Sequence, residues 1–253
     1  MIAISLQSGS NGNCTYVETN GIRLLFDAGI CGIRAASRLA AYERNIREVD
    51  ALIISHDHSD HINYAGVYQR KYGLPIYTTQ KTLCKVERKN RLGKLNNVNC
   101  FLAGDKLQFG KVSVHTIPTP HDCEDGVAFV ISSGGKKLGI LTDLGHLFKE
   151  LFSVIASLDG VFIESNYDPV MLSSGPYPAF LKKRIQGPKG HISNVESAEL
   201  LRSGTKLKWA CLAHLSEANN NPDVALKTHH KIVGRRFSFY TASRYMSSGI
   251  LTV

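Results

Sequence analysis

Short apolar runs bounded by turn residues recur along the chain and predict β-strands. Residues 15–19 and 22–27 flank Asn20-Gly21, a dipeptide typical of a two-residue hairpin turn. Over residues 33–42 the apolar positions change to helical spacing, a second helix ends at residues 70–73, and a basic helix is expected from about Gln80. The predicted strands are residues 2–6, 15–19, 22–27, 51–55, 76–78, 98–102, 112–117, 127–132, 138–142, 160–164, 209–213 and 237–242.

These strands fall into two groups, and helical segments follow each group. Such an order is typical of an α/β fold in which two sheets pack face to face with helices on the outside. No Pro-rich or Ser-rich linker and no low-complexity stretch interrupts the 253 residues. We therefore expect one domain over residues 1–253.

The charge balance and the cysteines narrow the class of protein. Lys and Arg total 30 against 21 Asp and Glu, a net charge of +9 with histidine neutral. Positive charge raises the local concentration of polyanions and favours a nucleic acid partner, although a basic metabolic enzyme explains it equally well. The six cysteines form no C-x-x-C pair, and the sequence has neither a signal-peptide pattern nor an apolar run of about 18 residues. We expect a cytoplasmic protein with reduced thiols, no membrane association and no obligate protein partner.

A histidine cluster follows the apolar run at residues 51–55. His56, His58, Asp60 and His61 bring four potential metal ligands into six residues. Imidazole and carboxylate ligands suit zinc, manganese or iron, and the end of a buried strand holds them rigidly. A polar loop that happens to be rich in histidine is the structural alternative. We predict a metal site here.

Three further candidate ligands follow the cluster at the ends of later predicted strands: His121, Asp143 and His214. The H-x-H-x-D-H spacing, followed by these residues in this order, resembles the metallo-β-lactamase superfamily. The resemblance implies a four-layer αβ/βα sandwich with two divalent metal ions per chain. By that resemblance one metal is held by His56, His58 and His121, the second by Asp60, His61 and His214, and Asp143 bridges both. Zinc-dependent β-lactamases carry a cysteine where Asp143 stands, so the pattern points to the phosphodiesterase and thioesterase branches.

Two later motifs narrow the branch. Glu164-Ser165-Asn166-Tyr167-Asp168 ends a predicted strand, and Gly190-His191-Ile192-Ser193-Asn194 precedes a helix. Ser193-x-x-Glu196 is a capping box, which explains Ser193 structurally but leaves His191 unexplained. The pair of motifs resembles nucleases of the superfamily, in which a glutamate supports a histidine that protonates the leaving group. That resemblance assigns catalytic roles to Glu164 and His191.

The whole sequence resembles the compact YycJ/WalJ-type group, through the opening Ser8-Gly9-Ser10-Asn11-Gly12-Asn13-Cys14 as well as the two motifs above. That group implies exonuclease activity on DNA, acting from the 5′ end. We also predict contacts with the substrate from Ser10, Asn11, Asn166, Ser193, Lys183 and Arg184. The Gly-rich opening could place backbone amides against a phosphate, and a tight turn that packs beside the metals is the alternative.

Three groups of basic residues are candidates for a phosphate track, and solvated helix faces explain each group equally well. They are Lys81, Lys85, Arg88, Lys89, Arg91 and Lys94, then Lys182, Lys183 and Arg184, and then Lys227, Lys231, Arg235 and Arg236.

The mechanism we hypothesise is hydrolysis of a phosphodiester by a hydroxide held between two metals. Asp60 would bind a metal and orient or deprotonate the water, and His191 would protonate the leaving oxygen. Asp57 receives no ligand role and is expected to support a neighbouring ligand or to be solvated. A hydrolase of cyclic phosphodiesters, thioesters or lactones is the main alternative, and a binding module without catalysis is a second one.

Overall fold

The computed structural model describes residues 1–88 and 92–253, and the described residues contain two seven-stranded sheets. The first sheet has the order β14-β1-β2-β3-β4-β5-β6, and its strands β3 to β6 are parallel. Its strands are β1 (Ile2–Gln7), β2 (Cys14–Thr19), β3 (Ile22–Phe26), β4 (Ala51–Ile53), β5 (Ile76–Thr79), β6 (Val98–Phe101) and β14 (Leu251–Thr252).

The second sheet has the order β13-β12-β11-β10-β9-β8-β7, and its strands β10 to β13 are parallel. Its strands are β7 (Lys106–Phe109), β8 (Val112–Pro118), β9 (Val127–Ser133), β10 (Lys136–Leu141), β11 (Gly160–Glu164), β12 (Trp209–Ala213) and β13 (Ser238–Thr241). All twelve strands predicted from the sequence are present, with ends that shift by up to two residues. The edge strands β7 and β14 were not predicted.

An apolar layer fills the space between the two sheets. Phe26 of β3 contacts Phe129 of β9 with ring centroids 5.0 Å apart, and Phe162 of β11 packs on Trp209 of β12 at 5.3 Å. These large side chains are almost fully buried. Burial of aromatic surface on this scale is the main force that holds one sheet against the other.

Helices cover the outer faces. A second buried cluster lies between the first sheet and α1, α3 and α4, and a third lies between the second sheet and α5, α8 and α9. The predicted four-layer sandwich is therefore confirmed. The helices are α1 (Gly32–Ala40), α2 (Ser59–Ile62), α3 (Ala65–Tyr72), α4 (Gln80–Arg88), α5 (Lys149–Ser157), α6 (Pro169–Ser174), α7 (Ala179–Gln186), α8 (Asn194–Leu201) and α9 (Pro222–Val233).

Most of the candidate site residues lie at the carboxyl ends of parallel strands. The histidine cluster follows β4, Asp143 follows β10, Glu164 ends β11 and His214 follows β12. Loops at this edge of parallel strands converge on one cleft, as they do in other open α/β sheets. Within residues 1–88 and 92–253, no helix combines the length and the apolar character that a membrane crossing requires.

Candidate metal centre

The histidine cluster leaves β4 and turns at once into the short helix α2. His56 and His61 are buried, with ring centroids 4.2 Å apart, and His58 lies just ahead of α2 as its N-cap residue. The four candidate ligands of this segment fall into overlapping groups: His56 and His58 share one group, Asp60 and His61 share another, and His61 also shares a group with His56.

The other three predicted ligands meet the cluster across the cleft. Asp143 is central: its carboxylate oxygens lie 3.3 Å from His61 Nε2, 3.6 Å from His121 Nε2 and 3.5 Å from His214 Nδ1. Asp143 and His214 both have left-handed backbone conformations, with φ of 58° and 55°. Non-glycine residues adopt this conformation rarely, and such strain is concentrated at functional sites.

The donor atoms form overlapping groups within 4.8 Å of one another. Two of these groups are the two triads that the resemblance assigned to separate cations, and Asp143 belongs to the other two groups. The groups are His56, His58 and His121; Asp60, His61 and His214; His56, His61 and Asp143; and Asp143, Glu164, His191 and His214.

Buried atoms without partners show that the donor set fits divalent cations. His56 Nε2, His121 Nε2 and Asp143 Oδ2 are buried and have no hydrogen-bond partner among the described residues. The opposite ring nitrogens are occupied, since His56 Nδ1 donates to Ser55 Oγ at 2.9 Å and His121 Nδ1 donates to the Gly190 carbonyl at 2.8 Å. Each ring therefore turns its free nitrogen toward the centre, as metal-binding histidines do.

The electrostatics of the centre also favour bound positive charge. Burial opposes a charge on His61, but the carboxylates of Asp143, Asp60 and Asp27 raise its pKa well above its usual range. Burial likewise opposes ionisation of Asp143, yet the surrounding histidines, His214 and His61 first, hold its pKa well below its usual range. Negative charge that would hold a proton in this site would also hold a cation.

Asp27 belongs to the centre although sequence reasoning did not select it. Its Oδ2 accepts from His61 Nδ1 at 2.7 Å, and its Oδ1 accepts from the Ser55 backbone N–H at 2.8 Å. Asp27 is 5% exposed and has a left-handed backbone with φ of 65°. The carboxylate fixes the ring of His61 so that Nε2 faces Asp143. Its only signal in the sequence is its position at the end of an apolar strand.

Glu164 and His191 form a pair beside the metal ligands. Glu164 is fully buried, its Oε1 accepts from His191 Nδ1 at 2.6 Å, and its Oε2 accepts from the Leu144 backbone N–H at 3.0 Å. Burial alone would raise the pKa of Glu164. The charge and the hydrogen bond of His191 outweigh burial and lower that pKa to about 2. His191 is partly exposed and lines the cleft, so its Nε2 is the nitrogen available to a ligand.

The cleft has a volume of about 500 Å³. Some of the residues that were predicted to contact the substrate line it, and others do not. Ser10, Asn166 and Arg184 line it, whereas Asn11 and Lys183 lie outside its lining. Asn166 also supports a ligand, because its amide donates to the His214 carbonyl at 2.9 Å.

Ser193, for which a substrate contact stays a prediction, lies outside the lining of the cleft and caps α8. It is buried, its hydroxyl donates to Glu196 Oε2 at 2.6 Å, and it accepts from the Glu196 backbone N–H at 3.2 Å. The second of these bonds and the donation of the Ser193 backbone N–H to Glu196 Oε2 at 2.8 Å form the capping box of α8, which is confirmed. The only proton of this hydroxyl and one of its two acceptor sites are used within the cap.

The Gly-rich opening forms a tight turn. The Gly9 N–H donates to Asn13 Oδ1 at 2.9 Å, and the Gly12 N–H donates to the Gly9 carbonyl at 2.9 Å. Gly12 has φ of 136°, and a Cβ there would lie 2.4 Å from the Gly29 carbonyl oxygen. Asn13 Nδ2 lies 3.2 Å from Asp60 Oδ2 and 2.9 Å from His61 Nε2. The loop thus packs beside the ligands and uses these amides internally, which favours the tight turn over the phosphate cradle.

Several basic residues near the cleft are paired with carboxylates. Lys85 Nζ lies 2.9 Å from Asp57 Oδ2, and Arg184 contacts Asp122 at 2.6 Å. Asp57 is buried and also accepts from the Glu124 backbone N–H, so it supports the adjoining loop and is not solvated. Of the three basic groups, the cleft is lined by Lys85 and Arg184, and Lys89 and Arg91 lie outside the described residues.

Comparison with known proteins adds sequence and fold relatives. The family described as the Beta-lactamase superfamily domain matches residues 22–214. The exodeoxyribonuclease WalJ of Streptococcus pneumoniae is 37% identical over 227 residues, which cover 88% of this chain and 84% of that protein. The exodeoxyribonuclease YycJ of Bacillus anthracis is 34% identical over 224 residues, which cover 87% and 84%. The metallo-β-lactamase fold protein YhfI of Bacillus subtilis has a TM-score of 0.76 at 17% identity over the whole of both chains, a likeness of fold.

Proposed function

This chain belongs to the β-lactamase superfamily, and from that membership we propose that it is a metal-dependent exonuclease that removes nucleotides from the 5′ end of DNA. Membership and the related exonucleases make it a metal-dependent hydrolase. The finer statements, two cations, a DNA substrate and 5′-to-3′ polarity, are the proposal. Zinc and manganese both suit the mixed imidazole and carboxylate donors, and iron is compatible with them.

The pairing of Glu164 with His191 beside the seven candidate ligands carries this proposal. Hydrolysis of a phosphodiester releases an alkoxide, and a positioned acid lowers the cost of its departure. His191 lines the cleft and is held by a buried carboxylate on Nδ1, so Nε2 is the nitrogen that faces a leaving oxygen and would deliver a proton to it. Without such an acid, the site would suit a substrate with a better leaving group.

The other chemical roles in this proposal belong to the metal ions that the candidate ligands would hold. Divalent cations held by His56, His58, Asp60, His61, His121, Asp143 and His214 would activate water and neutralise the charge on the phosphate.

In this proposal Asp60 orients the attacking water and does not take its proton. Burial would raise its pKa, but His61 and His214 hold that pKa well below its usual range. This direction is in accord with a role for Asp60 in orienting the water.

The choice of DNA rests on the relatives and the charge. Two proteins that are 37% and 34% identical over most of this chain are named exodeoxyribonucleases. The net charge of +9 is in accord with a polyanionic substrate. The ion pairs of Lys85 and Arg184 weaken the contribution of the cleft rim to that argument.

The proposed function is tested with metal-stripped protein that is restored separately with manganese and with zinc. End-labelled linear duplex DNA with a 5′-phosphate should be shortened stepwise from that end. His61→Ala should abolish the activity, and Asp223→Asn, at an exposed position of α9, should not. Rapid hydrolysis of a thioester, a lactone or a cyclic phosphodiester, with DNA left intact, would overturn the proposal.

A further inference from the structure

A second cavity lies beside the metal cleft. Its volume is about 370 Å³, and the segments that enclose it follow the carboxyl ends of the parallel strands β12 and β13. Ser216, two residues after the candidate ligand His214, lines both this cavity and the metal cleft. Ser216 therefore places the cavity directly next to the metal cleft.

The lining of this cavity suits a flat, largely apolar group. Leu215, Pro222 and Ala242 supply aliphatic surface, and the ring of Tyr245 and the guanidinium of Arg244 supply planar surface. Aromatic rings and guanidinium planes are the groups on which proteins stack unpaired bases. The volume lies at the lower end of the roughly 300–1,000 Å³ that is typical of small-molecule sites.

One carboxylate holds the two planar groups together. Glu217 Oε1 accepts from the Tyr245 hydroxyl at 2.8 Å, and Glu217 Oε2 accepts from Arg244 at 3.0 Å. The Arg244 side chain is 14% exposed, and its Nε is buried without a hydrogen-bond partner among the described residues. This guanidinium retains an unsatisfied donor beside the cavity.

The backbone of Tyr245 is fixed although its side chain is 67% exposed. Its N–H donates to Ser243 Oγ at 3.0 Å, and its carbonyl accepts from Arg38 of α1. An exposed aromatic ring on an anchored backbone loses little conformational freedom when it binds a ligand. Nothing in the packing of the described residues requires a large ring at this position.

Arg244 also connects the cavity to the loop beside the metal ligands. Asn11 Nδ2 donates to the Arg244 carbonyl at 3.1 Å, and a Cβ on Gly9 would lie 2.9 Å from Arg244 Cγ. The same loop contacts Asp60 through Asn13. The position of the cavity is therefore set by the residues that set the metal centre.

We propose that this cavity binds a nucleobase of the DNA strand next to the scissile phosphodiester, with Tyr245 as its stacking partner. The inference rests on the proposed nuclease function and adds to it a site that recognises the base rather than the phosphate. A stacked base places the strand in register with the metal cleft and favours single-stranded ends, whose bases are free to leave the helix.

The test uses DNA substrates that carry one abasic nucleotide at the first, second or third position from the 5′ end. For the wild-type protein, the abasic residue should raise KM about 10-fold at one of these positions, because stacking of one base is lost. In Tyr245→Ala, KM on intact DNA should rise by a similar factor and the dependence on position should vanish. Tyr245→Phe retains the ring and should behave like the wild type.

Controls separate this site from general effects. Leu102→Ala removes an apolar side chain that is 71% exposed and lies outside both cavities, so it should leave KM unchanged. DNA that is abasic at its first three positions offers no base to this cavity, and Tyr245→Ala should hydrolyse it at the wild-type rate.

Two results would overturn the inference in different ways. If the wild-type protein digests DNA with the same KM for every abasic position, the nuclease function stands and the base site is wrong. If it digests no DNA with any metal, the proposed function fails and the assignment of this cavity fails with it.

Discussion

His191 Nδ1 lies 2.6 Å from Oε1 of Glu164, a carboxylate that is completely buried at the end of β11. A buried carboxylate that accepts from one nitrogen of an imidazole fixes which nitrogen faces the cleft. Glu164 is itself held by the backbone N–H of Leu144, the residue that follows the candidate ligand Asp143. The acid and the metal centre are therefore built on the same turn.

Glu164→Gln should lower kcat about 10- to 100-fold while the content of bound metal stays the same. The amide keeps the shape of the side chain but removes the charged acceptor that orients His191 for proton transfer, and a general acid typically contributes about 10²- to 10⁴-fold. Steady-state kinetics on DNA and elemental analysis of the purified protein measure the two effects. Glu199→Gln, at an exposed position of α8, is the matched control. A parallel loss of metal would show that Glu164 acts on the ligands instead.

Asp27→Asn should weaken metal binding about 10- to 100-fold. Residues that hydrogen-bond the rear nitrogen of a metal-binding histidine typically contribute this much, and the amide cannot match the charge of the Asp27 carboxylate on His61 Nδ1. Titration against a chelator of known affinity measures the dissociation constant. Asp50→Asn provides the comparison, because Asp50 is exposed and contacts a backbone N–H of β3. Equal affinities in the two variants would contradict the role given to Asp27.

The sandwich was predictable because most of its strands contain a run of buried apolar residues, and β4, β11 and β12 are buried along their whole length. The five residues of β12 are all buried and mostly apolar, and its bounds were predicted correctly. β7 (Lys106–Phe109) alternates exposed polar residues with partly buried apolar ones at a sheet edge, and β14 has only two residues. Neither gives a local pattern strong enough to separate a strand from a loop.

Candidate ligands were predictable where they are adjacent in sequence or end a strand. Asp27 and His61 are 34 residues apart, and no local pattern marks the contact between them. Ser193 was selected for its position near His191, but the direction of its side chain is determined by the cap of α8. Tertiary packing determines which of two neighbouring side chains faces a cleft. The local pattern of a single sequence does not reveal that packing.

Ser193→Ala should destabilise the protein by about 1 kcal/mol and leave KM for DNA unchanged. The loss of an N-cap hydroxyl typically costs about 0.5–2 kcal/mol, and here Glu196 Oε2 also loses the hydroxyl as one of its two donors while it keeps the Ser193 backbone N–H. Urea unfolding gives the free energy of unfolding, and initial rates give KM. A large rise in KM at unchanged stability would return Ser193 to the substrate-binding residues.

His229 should make the protein less stable in mild acid. It is buried in α9, where Nδ1 donates to the Ala225 carbonyl at 2.8 Å and Nε2 accepts from Ser197 Oγ at 3.1 Å. Burial lowers the pKa of His229 from 6.5 to about 4. Between these values the unfolded chain binds a proton that the folded protein does not, so stability is lost as pH falls from about 6.5 to about 4. At about 1.4 kcal/mol per pKa unit, the full effect is on the order of 3 kcal/mol.

The measurement compares the free energy of unfolding of wild-type protein and His229→Gln at pH 7, 5.5 and 4.5. The variant loses two hydrogen bonds and should be less stable at pH 7, but it has no proton to bind, so the gap should narrow as pH falls. Other titrating groups, including the histidines of the metal centre, are common to both proteins and cancel in the difference. His230→Gln, on the exposed side of α9, should follow the wild-type profile. A gap that stays constant with pH would mean that His229 binds a proton as readily in the folded protein as in the unfolded chain. That result would contradict the burial that the packing of α8 on α9 imposes.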